Sequence, residues 1–111
     1  MSEPNVTARI VLTTAPTPEE AERLARTLVE ERLAACVTFV PDARSIYRWQ
    51  GQIETSTETL LLIKTATAQL EDLAARLHAL HSYETPEFLV IVPEGGSPAY
   101  LGWIASSLAS A

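Results

Sequence analysis

The sequence predicts an α+β domain, a β-α-β-β-α-β sandwich with an antiparallel sheet, two helices on one face and a short C-terminal helix. Three observations carry that reading. β-branched and aliphatic runs alternate with segments of helical spacing in the order strand, helix, strand, strand, helix, strand. Apolar residues make up 47% of the chain and charged residues 20%, the balance of a packed globular protein. The 111 residues suit one core, so 1–111 is read as one domain with about 1–6 disordered.

Ala8 to Thr14 reads as the first strand. Thr17-Pro18-Glu19-Glu20 then opens a helix. Thr17 can cap, Pro18 suits the first helical position, and Glu20 can reach back as the third residue of a capping box. Ala21, Leu24, Ala25 and Leu28 recur at helical spacing, so the helix is expected to run to about Arg32. Ala34 to Val40 follows as a strand, with Ala35, Val37 and Phe39 on one face and Cys36, Thr38 and Val40 on the other. Pro41-Asp42 marks a bulge or bend. Extension resumes over Arg44 to Gln50, with Ser45, Tyr47 and Trp49 on one face, and Gln50-Gly51-Gln52 reverses the chain.

The third strand is clearest from Glu58 to Thr65 and is apolar on both faces. A second helix begins near Thr67 and buries Leu70, Leu73, Ala74 and Leu77. The fourth strand, Glu87 to Val92, is again apolar on both faces. A turn cluster at Pro93 to Pro98 precedes a closing helix from Tyr100 to Leu108. The order is that of the ferredoxin-like sandwich. Such a sheet normally leaves one face wet. Here Leu60-Leu61-Leu62-Ile63 and Phe88-Leu89-Val90-Ile91-Val92 show no wet face, which predicts an oligomer.

Eight Lys and Arg against fourteen Asp and Glu give a net charge of −6, which argues against a nucleic-acid partner. No run approaches a membrane span, and the first residues lack the pattern of a signal peptide. The single cysteine, Cys36, cannot form an intrachain disulfide, so a cytoplasmic location is expected. Cys36 lies mid-strand beside Ala34, Ala35 and Val37 and reads as a buried, inert thiol. Only four glycines exist, and none builds a phosphate loop or dinucleotide fingerprint.

The two histidines, His78 and His81, stand three apart at the end of the second helix, close enough, if the helix persists that far, to share one metal ion that Glu84 or Glu87, or residues of a neighbouring subunit, would complete. Against that, His81 falls on the apolar stripe four residues after Leu77, where a hydrogen-bonded structural histidine is common. The run His81-Ser82-Tyr83-Glu84-Thr85-Pro86-Glu87 places an imidazole, a phenol and carboxylates just before a buried strand. It reads either as a helix exit satisfying backbone ends or as a polar ligand pocket shared with Tyr47 and Trp49 across an interface. Tyr47 and Trp49 themselves read as subunit anchors or as a stacking platform. Trp103 reads as core or interface. Lys64 is a solvated strand-end charge or the neutraliser of a bound anion.

These segments, with Ser45-Ile46-Tyr47-Arg48-Trp49-Gln50-Gly51-Gln52-Ile53, Ile63-Lys64-Thr65 and Tyr100-Leu101-Gly102-Trp103-Ile104, resemble the CutA divalent-cation tolerance proteins in order and spacing from about Ile10 to Leu108. The resemblance implies a cytoplasmic homotrimer of ferredoxin-like subunits with hairpin arms crossing between them, and a role in tolerance to copper and other divalent ions. Some bacterial members are credited with a copper site of one first-strand cysteine and two adjacent histidines. Carried over, those positions are Thr13, Leu80 and His81, so two of the three ligands are absent. The resemblance therefore implies copper or another divalent cation held weakly, by His81 with Glu84 or His78, and no organic cofactor. A trimeric signalling protein of the PII type, binding a small molecule between subunits, is the alternative. The one asparagine, Asn5, lies outside any loop that could orient water, and the chain is not expected to be an enzyme.

Overall fold

The computed structural model describes residues 6–109. Its elements are β1 (Ala8–Ala15), α1 (Pro18–Glu30), β2 (Cys36–Trp49), β3 (Gln52–Ala66), α2 (Leu70–Leu80), β4 (Leu89–Ile91) and α3 (Pro98–Leu108), with one 3₁₀ turn, Thr67–Gln69, leading into α2. The four strands form one antiparallel sheet in the order β2-β3-β1-β4.

α1 starts as its sequence dictates. Thr17 is the N-cap and its hydroxyl accepts from the Glu20 amide, with Pro18 in the first turn. It ends two residues earlier than the periodicity suggests. Arg32 adopts φ 58°, and the Leu33 and Arg32 amides donate back to the Leu28 and Val29 carbonyls in a Schellman closure. The Arg32 guanidinium then donates to the Ser107 carbonyl, tying this corner to α3.

β2 and β3 form a hairpin much longer than the rest of the sheet. Pro41-Asp42 is a bulge, seen as a register shift between Val40 and Ala43 with Asp42 at φ 62°. Gln50 and Gly51, at φ 49° and 78°, make the two-residue reversal, both left-handed as such hairpins require. β3 begins at Gln52 rather than near Glu58, since the polar residues before Glu58 pair with Arg44 to Trp49. This arm projects beyond the body. The molecule measures 51 × 31 × 22 Å with a radius of gyration of 15.1 Å, against about 13 Å for a compact chain of this length. β4 is shorter than expected, pairing only Leu89 to Ile91 with β1.

Alternation sorts the sheet into two faces. Val11, Thr13, Ala15, Leu61, Ile63 and Thr65 point toward α1 and α2, where they form the core with Leu24, Leu28, Leu73 and Leu77, all buried. α3 lies on the opposite face at one end, where Ile104 and Leu108 cover Ala8 and Ala66. Val6, in the stretch expected to be disordered, packs against this cluster; residues 1–5 lie outside the described residues. The rest of that face is uncovered: Ile10, Leu12, Leu60 and Leu62 are half-buried, while Val40, Leu89 and Ile91 are exposed.

Glu20 departs from the capping-box reading. Its carboxylate turns away from its own helix and accepts from both the amide and the hydroxyl of Ser82, at 3.0 and 2.8 Å, while itself buried. This fastens the loop after α2 to α1. Burial works against the charged form, but the Ser82 amide and hydroxyl, with the charge of Arg23, outweigh it. The carboxyl therefore sits below the ordinary glutamate value of 4.5.

Two outcomes follow. Glu20→Ala strands two Ser82 donors and is expected to lower stability by about 1–3 kcal/mol in urea unfolding at neutral pH. A carboxyl whose folded pKa is depressed stabilises fully above its unfolded value and loses that contribution as pH falls through the folded one. Unfolding free energy should therefore fall with pH below about 4.5, and less steeply in Glu20→Gln, across a pH series of urea titrations.

Candidate functional site

The loop from His81 to Phe88 leaves α2, crosses the Thr14 end of β1 and delivers the chain to β4. Helix α2 stops at Leu80, and His81 is its C-cap with extended backbone. The His81 ring is fully buried. Its Nε2–H donates to the Thr14 carbonyl at 2.7 Å, and its Nδ1 accepts from the Tyr83 amide at 2.9 Å. The tilted Tyr83 ring lies 4.8 Å away, centroid to centroid. Both nitrogens of His81 are thus occupied, and the residue sets the path of the loop that carries Tyr83.

Tyr83 in turn faces the base of the arm. Its hydroxyl donates to Glu58 Oε2 at 3.3 Å, and the Ser56 hydroxyl donates to Glu58 Oε1 at 3.3 Å. Glu58 and Ser56 lie on the α3 side of β3, alternating with Thr59 and Leu61 of the core. On the same face of β2 stand Ser45, opposite Ser56, and further along the arm Tyr47 and Trp49, as the alternation predicts. Together with Thr14, Ile46, Thr85 and Glu87 these groups line an open concavity of about 700 Å³.

The concavity is acidic and aromatic. Glu58 and Glu87 supply carboxylates, Tyr47, Trp49 and Tyr83 supply rings, and no Lys or Arg of the described residues lines it. Glu87 is exposed as a residue, yet partial desolvation of its carboxyl, joined by repulsion from Glu58, raises its pKa above the ordinary value. Tyr83 is raised as well, by burial and then by the negative charge and hydrogen bond of Glu58.

The predicted site residues divide into two groups. Tyr47, Trp49, Tyr83 and Glu87 are brought together in the concavity. Lys64 stands further along the sheet, donating to the Thr38 hydroxyl at 3.0 Å, and Glu84 is exposed without lining the pocket. His78 is exposed on α2, its Nδ1–H donating to the Ala74 carbonyl at 2.8 Å. Among the described residues, His78, His81 and Glu84 do not converge, and no three of His, Cys, Asp and Glu are grouped to hold a metal ion. Thr13 is fully buried on the helix side and faces the core, one residue away from the pocket-facing Thr14.

Cys36 is corrected from a buried thiol to a half-buried one. It lies on the sheet's open face, with its Sγ 3.9 Å from the Tyr100 hydroxyl. Tyr100 stacks on Trp103 at 5.5 Å, and Trp103 is exposed rather than part of this chain's core. Sequence reasoning missed Glu58 and Ser56. Their signal was a polar alternation, Ser56 and Glu58, on the same face of β3 as the apolar Leu60 and Leu62.

The sequence model of the CutA1 divalent ion tolerance protein family matches residues 9–107. The "Divalent-cation tolerance protein CutA" of Pectobacterium atrosepticum is 46% identical over 101 residues, 91% of this chain and 92% of that one. "Protein CutA, chloroplastic" of Arabidopsis thaliana is 40% identical over 96% of this chain, which spans 58% of that longer protein. The crystal structure of CutA from Xylella fastidiosa superposes with a TM-score of 0.90 at 45% identity, covering 93% of this chain and 99% of that one. With the family model matching nearly the whole chain and the fold shared, this protein belongs to the CutA divalent-cation tolerance family.

Proposed function

We propose that the chain is a ferredoxin-like subunit of a non-enzymatic, cytoplasmic homotrimer that serves in tolerance to divalent cations, copper among them, and binds those ions weakly. One observation supports this above all: an uncovered apolar sheet face that runs without a break into an acidic pocket. Further copies would cover the first and wall the second. The arm suits such an assembly, because Ile46 and Ile53 stand 73% and 61% exposed where a lone subunit gives them nothing to pack against.

The donor chemistry supports weak binding. Glu58 and Glu87 offer carboxylate oxygens, suited to hard divalent ions that keep most of their water. Among the described residues no third His, Cys, Asp or Glu joins them, since Glu84 and His78 lie outside the pocket. His81 could ligate only by releasing Thr14 or Tyr83, so its contribution is to hold Tyr83 in place. No thiolate is available at Thr13 to make a tight copper(I) site.

Sedimentation equilibrium should report three times the 12.1 kDa chain mass, and Ile46→Asp should shift the protein toward monomer with its circular dichroism unchanged. A monomeric parent protein would overturn the assembly. Calorimetric titration with copper(II), with zinc as comparator, should give affinities on the order of 10⁻⁴ to 10⁻³ M, weakened in Glu58→Gln. A micromolar site abolished by His81→Ala would overturn the weak-binding reading.

A further inference from the structure

The pocket holds more than a metal ion would use. Two of the protein's three tyrosines and one of its two tryptophans, Tyr47, Tyr83 and Trp49, line it together with the carboxylates of Glu58 and Glu87. A hydrated divalent ion is held by oxygen and gains little from ring faces. An anion would meet two carboxylates and no basic group. A neutral ring would stack on the aromatics but leave the carboxylates repelling one another. A weakly hydrated organic cation uses both features at once: its charge meets the carboxylates, and its alkyl groups lie against the negative faces of the rings.

We infer that the concavity between the arm and the Tyr83–Glu87 loop is a binding site for an alkylammonium ion, held by cation–π contact with Tyr47, Trp49 and Tyr83 and by the charge of Glu58 and Glu87. Its volume of about 700 Å³ admits a small organic molecule. Glu58 is oriented in advance, each oxygen accepting a hydroxyl hydrogen, from Ser56 and from Tyr83. Tyr83 is oriented by the bond from its amide to the buried His81. Glu58 and Glu87 line the same space, so a bound cation meets both carboxyls at once. This inference rests on the reading of the concavity as the ligand site.

The test follows the indole N–H resonance of Trp49 in the whole protein, assigned by its persistence in Trp103→Phe. Choline is titrated beside 3,3-dimethylbutan-1-ol, which has the same shape without the charge. Choline should move the resonance saturably and bind at least about tenfold more tightly than the alcohol. In Trp49→Ala and Glu58→Gln, choline binding followed by calorimetry should weaken roughly five- to twentyfold. Equal responses to the two compounds, or none to choline, would overturn the alkylammonium site. Manganese(II) separates that failure from failure of the pocket itself. Broadening of Trp49 and Tyr83 by manganese without a choline response leaves a metal pocket and removes the organic cation; silence toward both removes the pocket as a cation site altogether.

Discussion

A sheet that is apolar on both faces, in a chain with helices enough for one, is the constraint from which the rest of this structure follows. β1 and β3 sit at the centre of the sheet and alternate Val11, Leu61 and Ile63 with Leu12, Leu60 and Leu62. α1 and α2 bury the first set completely. The second set is left to α3, which reaches only the Ala8 and Ala66 end. Hydrophobic burial scales with area removed from water, so the uncovered strip is free energy available to whatever next lies on it. The long arm, the late α3 and the pocket are all arranged along the border of that strip.

The loop after α2 shows how a small domain holds a pocket wall without a regular element in it. Ser82 is fixed by Glu20 from one side, Tyr83 by His81, and His81 by the backbone of β1. Glu20 lies on α1 and Thr14 on β1, so these bonds end on regular elements. The cost of ordering Tyr83 is therefore met during folding, not on ligand entry. The chemistry read from this stretch shifts once the geometry is known: the histidine is a strut, and Glu87 joins Glu58 in lining the concavity.

What was legible in the sequence was local. Thr17-Pro18 opens α1, Pro41-Asp42 bulges β2 and Gln50-Gly51 turns the arm, because each outcome is decided by the residue's own backbone preferences. The near halves of β2 and β3 were visible through their apolar alternation. Gln52 to Thr57 carried no such signal, since a projecting hairpin has no core to face. Glu20 misled because its spacing to Thr17 suits a cap, while a partner 62 residues away offered two donors in place of one. Cys36 misled because a strand apolar on both faces does not reveal which face is closed. Tyr47 and Trp49 were placed on one side by parity, but their meeting with Glu58 and Glu87 depends on how far the loop after α2 swings, and no local pattern encodes that.

The sheet order also governs how the polypeptide can be made. β1 leaves the ribosome before either of its neighbours, since β3 and β4 are both encoded far downstream. Until Ala66 has emerged, the edges of β1 have no hydrogen-bonding partner and its two apolar faces have only α1 for cover. The β2–β3 arm, by contrast, can zip from Gln50-Gly51 as soon as it is synthesised, since its pairing is entirely local. The nascent chain thus carries an orphaned strand ahead of a finished hairpin. The sheet closes only when the hairpin folds back onto the waiting strand, and this makes β1 the strand most exposed to mispairing or chaperone capture during translation.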